Sequence, residues 1–286
     1  MKRGKSILLW IISLLLALGL AVYQRLTGPT YPVSGQEIFK DQTVSFRFPR
    51  SGTIDQDLEI KLRVIDPGVT ASIDYRRFTT QDPWQPVAME RKGANLIGLI
   101  PAEHQPAAKV EYRIRIQVGQ ESFLLNDGKP TVARFKGKVP SLFLIVHVIF
   151  MFLGIVLTFR TGLEALRKQG NYYRLVHWTL AIIFIGGLIL GPIVQAYAFG
   201  DFWTGFPFGT DLTDNKTLIA FLFWLIAFFR QKKGCFWVIL AALISILIYL
   251  VPHSLFGSEL DYRTGGMKNK YTSALSLESR PPRWHQ

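Results

Sequence analysis

A single cysteine, Cys235, stands among the 286 residues. That count excludes a disulfide framework, a CxxC motif and a lipid-bearing cysteine near the N-terminus. Acidic residues are also few, 20 Asp and Glu against 33 Lys and Arg, for a net charge of +13. A nucleic-acid binder would gather this excess into a separate basic patch with interleaved aromatics. Here the basic residues cluster beside apolar runs, as the positive-inside rule requires of short cytoplasmic loops. Nucleic acid is therefore not an expected partner. Catalytic patterning is missing too: no motif with a nucleophile or general base stands out, so no enzyme class is favoured. No inverted repeat or broken helix pair points to a transporter.

Apolar residue is what the chain has in quantity. Hydrophobic side chains make up 49% of the sequence and are gathered into long runs, the signature of membrane spans. Five spans are expected, at about 7–23, 139–159, 175–198, 217–229 and 235–251. The first follows Lys2, Arg3 and Lys5, which suits a signal peptide or an uncleaved anchor, and the length of the run favours the anchor. Arg160, Arg167, Lys168 and Arg174 follow the second span, and Arg230, Lys232 and Lys233 follow the fourth. Placing these basic clusters inside puts the N-terminus in the cytoplasm and the C-terminus outside. The connection 199–216 carries Asp201, Asp211 and Asp214 against Lys216, as an outer loop should.

Between Thr30 and Lys138 the period changes to two. Val44-Ser45-Phe46-Arg47-Phe48 alternates, as do residues 58–64 and 110–116, so each strand has one buried and one wet face. Turn signals recur at Pro49-Arg50-Ser51-Gly52, Asp66-Pro67-Gly68, Asp82-Pro83 and Asn126-Asp127-Gly128. About seven short strands in a hundred residues suggest an all-β sandwich of the immunoglobulin or fibronectin type III kind. The expected fold class is thus an α+β membrane protein. Its expected organisation is an N-terminal anchor over 1–29, an extracytoplasmic β-sandwich over 30–138, a four-helix core over 139–262 and a disordered tail over 263–286.

Ionisable residues inside spans are functional candidates by default. His147 lies within the second span, His177 at the inner start of the third and His253 just beyond the fifth. The fourth apolar run is short, about 20 Å at 1.5 Å per residue against a hydrocarbon core of about 30 Å. Its helix is therefore expected to begin below the outer surface, with Thr213 or Asp214 as N-cap and Asp214 near the depth of His147. Ahead of it, Phe199, Phe202, Trp203, Phe206 and Phe208 interleave with glycines, a composition able to dip into the membrane interface. His147, Asp214 and His253 then line an outer site for haem, a metal ion or a proton. The alternative is a hydrogen-bonded polar knot that fixes helix packing.

Two local resemblances bear on that choice. Tyr173-Arg174-Leu175-Val176-His177-Trp178, with Gly186 and Gly187 beyond, resembles the Arg-x-x-His-Trp stretch of bacterial b-type cytochrome membrane subunits such as formate dehydrogenase gamma subunits. In that family the matching histidine ligates haem in a four-helix core, which would make His177 a ligand and His147 with His253 an outer pair. The stretch around Phe202-Trp203 resembles the tryptophan-rich outer loop of haem-handling cytochrome c assembly proteins, which is also flanked by two histidines. Both resemblances imply haem b on the outer face, with Trp203 beside it. The expected function is electron transfer or cofactor handling in a bacterial inner membrane; the alternative is an accessory or assembly subunit whose periplasmic domain docks a partner protein.

Overall fold

The computed structural model describes residues 3–40, 42–168, 170–252, 255, 257, 259–263 and 265–266. The chain is mixed α+β and divides into two compact units. One holds the N-terminal helix and the helices after Val139; the other is Thr30–Lys138 joined by a short piece that begins at Glu259.

In the β unit, alternation becomes two sheets. The first contains β1 (Val33–Phe39), β2 (Gln42–Phe48), β4 (Leu58–Arg63), β8 (Asn95–Ile100) and β7 (Glu90–Lys92), in the order β1-β2-β4-β8-β7. The second contains β3 (Ser51–Thr53), β11 (Thr131–Lys136), β9 (Lys109–Val118), β5 (Val69–Arg77) and β6 (Gln85–Ala88), in the order β3-β11-β9-β5-β6, with β10 (Glu121–Leu124) also on β9. β3 runs parallel to β11; the other pairings are antiparallel. Inward residues of both sheets make one core: Val44, Ile60, Leu62 and Ile100 from the first, and Ile73, Ile114, Ile116 and Phe135 from the second. Burying such side chains is worth about 1.5–3 kcal/mol each. The chain changes sheet at Met89, whose amide donates to the Ala71 carbonyl. Gly98 lies opposite that crossing, and a Cβ there would run into Ile73 and Met89. Arg91 fastens the adjoining loop by donating to the carbonyls of Val64, Asp66 and Val69, at 3.0, 2.9 and 2.6 Å.

The piece after the last helix belongs to this unit rather than to the helices, contrary to the expectation that the membrane core extends through residue 262. Leu260 donates its amide to the Ala107 carbonyl. The Tyr262 hydroxyl accepts from the Lys109 amide at 2.9 Å and donates to the Lys109 carbonyl at 2.6 Å, acting as a side-chain substitute for a strand neighbour. Glu259 pairs with Lys109 at 2.7 Å. The physical reason is that these few polar and apolar groups fit a sheet end and would have no hydrogen-bonding partner in lipid. The expected tail falls outside the described residues from 267 onward.

In the helical unit, α1 (Arg3–Thr27), α2 (Ser141–Ala165), the continuous rod Tyr173–Phe199 and α5 (Leu212–Arg230) are long and apolar enough to cross a membrane; α6 (Phe236–Leu250) is shorter, 15 residues. The rod comprises α3 (Tyr173–Ile183), a seven-residue π-helical stretch at Phe184–Leu190 and α4 (Gly191–Phe199). Outward faces are apolar, as with Leu14, Leu15, Leu142, Ile149, Leu222 and Leu247, which is compatible with contact to a lipid bilayer. Small residues let the rods approach: Gly162 lies against Ala242 so closely that a Cβ would clash. Trp224, Val176, Ile183 and Val238 fill the interior, while Ala17 and Leu20 fix α1 to Ile155 and Tyr249. Arg160 and Glu164 form a buried ion pair at 2.7 Å, and Arg167 takes the second Glu164 oxygen, so neither charge is left uncompensated.

Burial pushes the Tyr262 hydroxyl up to about 12 from its usual 10.0. The neutral phenol is the form that fits, so its contribution to stability is complete below pH 10 and is lost as pH rises through about 12. The 295 nm titration difference between the wild-type protein and Tyr262→Phe should therefore show one tyrosinate with a midpoint near 12; a midpoint near 10 would mean that Tyr262 is undocked.

Candidate functional site

Polar groups collect where α4 leads into α5. Asp211 has extended backbone and its side chain accepts from the Thr213 amide at 2.8 Å, so it is the N-cap of α5. The expectation of Thr213 or Asp214 as cap is thereby corrected: the helix begins at Leu212, five residues before the apolar run. Side-chain capping, not hydropathy, sets that start. Asp214 is released from capping and turns to the preceding loop. Its Oδ2 accepts from the Thr204 amide at 2.7 Å, the Gln195 amide nitrogen at 3.0 Å and the Thr204 hydroxyl at 3.3 Å. Asn215 Oδ1 accepts from the Phe206 amide at 2.6 Å. Gly205 lies between these two acceptors, where any Cβ would collide with Asp214 and Asn215. Lys216 extends the other way and donates to the carbonyls of Val251 and Pro252 at 3.0 and 3.1 Å, covering the end of α6. Asp211, Asp214 and Lys216 are all buried. A buried charge is tolerable when its hydrogen bonds are filled, and this cluster fills them internally.

The other expected site residues are distributed around this cluster. His147, half-buried on α2, has Nδ1 at 2.9 Å from the Gly186 carbonyl in the π-helical stretch. A carbonyl only accepts, so Nδ1 carries the proton and Nε2 keeps its lone pair. His147 bonds to Gly186 and Asp214 bonds to Gln195 and Thr204, so the two expected metal ligands occupy separate networks. His177 is exposed on α3; its Nδ1 donates to the Tyr173 carbonyl at 2.6 Å and its ring meets Phe228 edge-on. Trp203 spends its indole N–H on the Phe206 carbonyl at 3.0 Å. His253 falls outside the described residues, and among those described no group of three or more His, Cys, Asp or Glu side chains is placed to hold a metal ion. Gln195 and Thr204, which do most to hold Asp214, have no counterpart in the sequence reading; a uncharged glutamine inside an otherwise apolar span was the available signal.

A second candidate lies on the outer face of the second sheet of the β unit. The register sets Asp74 opposite Arg113 and Arg76 opposite Glu111. The ion pairs follow: Arg76–Glu111 at 2.6 Å, Arg115–Asp74 at 2.9 Å and Arg113–Asp74 at 3.2 Å. The Trp84 ring takes the guanidinium carbons of both Arg76 and Arg113 at 4.4 Å from its centroid. Each such cation–π contact contributes about 0.5–1 kcal/mol at an exposed site. The result is a pre-ordered surface of tryptophan and arginine. Comparison with family models, curated proteins and solved structures gives no match to this chain.

Asp214→Ala should remove the acceptor used by the Thr204 amide and one of the two acceptors of Gln195 Nε2, which keeps Thr204 Oγ1 at 2.7 Å, at a cost of about 1–3 kcal/mol. Thermal unfolding of the detergent-purified protein should show the loss, with Asp214→Asn losing less; equal stability of Asp214→Ala and wild type would remove the cluster's structural role.

Proposed function

We propose that this is a multi-pass protein of a bacterial inner membrane that acts as an accessory or assembly subunit, its periplasmic β unit docking a partner protein. The observation that carries this reading is the ordered Trp84–Arg76–Arg113 surface. Tryptophan and arginine are enriched at binding hot spots, and here salt bridges and cation–π contacts have already fixed the rotamers, which lowers the entropy lost on docking. Orientation is argued from charge. Lys2, Arg3 and Lys5, the 160–174 group and the 230–233 group fall on one side by span order, the side that the positive-inside rule makes cytoplasmic. Thr30–Lys138 is then periplasmic. The order β2-β4-β8-β7 facing β11-β9-β5, with β3 parallel to β11, supports an immunoglobulin-like reading of that unit.

A photocrosslinking side chain at Gln85, beside Trp84, tests this in cells. A discrete protein adduct is expected, lost on Arg113→Glu and retained when Lys61, on the opposite sheet, is changed to Glu. No adduct from Gln85, or one indifferent to Arg113, removes the docking role.

A second reading, haem or metal handling, is favoured by one observation. The Nδ1–H of His147 is held by the Gly186 carbonyl, the support that metal-ligating histidines usually have, so His147 Nε2 would be the donor, with His253 as its candidate partner. Haem there would supply one-electron chemistry. Asp214 does not fit a metal site, because its bonding oxygen is occupied by three donors. An absorption spectrum of the purified protein decides: a Soret band lost in His147→Phe supports this reading, and a featureless spectrum ends it.

A further inference from the structure

The loop between α4 and α5, residues 200–211, has the properties of a segment immersed in a membrane rather than of one in water. Phe202, Phe206 and Phe208 are 65%, 62% and 70% exposed, an apolar face that a water-facing loop would not keep. Six of the loop's eleven backbone amides have partners within the protein. Thr204 donates its amide to Asp214, Phe206 to Asn215, Phe208 and Gly209 to the Gly205 carbonyl, and Asp211 to the Thr204 carbonyl. Pro207 has no amide to satisfy, and the Trp203 indole is used on the Phe206 carbonyl. Internal pairing of this kind lowers the cost of setting irregular backbone into the membrane interface.

Length points in the same direction. α6 has 15 residues and spans about 22 Å, and the apolar part of α5, residues 217–229, spans about 20 Å, against a hydrocarbon thickness of about 30 Å. If α5 stands upright in such a bilayer with Arg230 at the inner rim, Asp214 lies about 24 Å up the helix and so below the outer head groups. A polar turn at that depth needs a cover that faces lipid. The loop is that cover: Asp214 and Asn215 bond to its inner side, and its phenylalanines occupy its outer side.

We propose that residues 200–211 form a re-entrant roof set into the outer leaflet, with Phe202, Phe206 and Phe208 in contact with lipid acyl chains and the interfacial zone. The occupant of this apolar face is lipid, because the loop joins two rods whose own exposed side chains, Ile189, Ile219 and Leu222 among them, are apolar as well. The inference rests on the reading of α5 as a membrane span, independent of which partner or cofactor the protein handles.

The test is site-directed spin labelling of the full chain in liposomes. Cys235, which is exposed, is changed to Ser, and single cysteines replace Phe202, Phe206 or Phe208 in turn. Leu222, outward-facing on α5, is the lipid control and Thr70, exposed on β5, the water control. Power saturation with oxygen and with a water-soluble nickel chelate reads depth. The expected result is an oxygen-to-nickel accessibility ratio at 206 and 208 several-fold above Thr70 and near that of Leu222. Nickel-accessible labels on the loop, with Leu222 still in lipid, overturn the proposal while leaving the span intact. Labels shielded from both reagents mean that protein covers the face, which also overturns it. A nickel-accessible Leu222 overturns the span reading and the roof with it.

Discussion

The outward faces of the helical unit are apolar and offer no hydrogen-bonding partner, so its buried charges find theirs inside the protein. The organisation of that unit follows from this constraint. Asp214 draws in Thr204 and Gln195, Asn215 draws in Phe206, and Lys216 covers the Val251 and Pro252 carbonyls. Asp211, Asp214 and Lys216, three and two positions apart, thus serve different tasks: the first caps α5, the second folds the loop and the third closes α6. At the other end of α2, Glu164 does the same for Arg160 and Arg167. Polar residues of the rods are few, and the buried charges among them are connected to backbone carbonyls, to the loop or to another charge.

The two units distribute polar and apolar groups in opposite ways. The β unit conceals its apolar faces between two sheets and shows charge, whereas the helical unit shows leucine and isoleucine and keeps its charges inside. Polar chemistry is therefore informative for different reasons in each. On the β unit an ordered Arg–Trp surface is notable because most surface arginines stay mobile. In the helical unit a buried aspartate is notable for being present at all.

Much of this was readable from residue order. Period-two runs at 44–48, 58–64 and 110–116 coincide with β2, β4 and β9, because one-sided burial imposes alternation. Apolar runs marked the helices for the same reason in reverse. What hydropathy could not supply was the start of α5, decided by the Asp211 cap, or the π-helical stretch that brings the Gly186 carbonyl to His147. Nor could it separate His147 from Asp214: both were legible as unusual polar residues in spans, but their hydrogen-bond partners depend on helix rotation, which a linear sequence does not encode. His177 shows the same limit, since a short motif specifies neighbours along the chain and not the face of the helix they occupy.

The docking of Glu259, Leu260 and Tyr262 on Ala107 and Lys109 joins residues about 150 positions apart. The β unit is consequently a discontinuous domain: β1 to β11 precede α2 to α6 in the chain, and the piece at residues 259–262 follows α6. Lys109 can acquire its Tyr262 partner only once α6 has been translated. The strap can therefore complete the β unit only after the chain through α6 has been made.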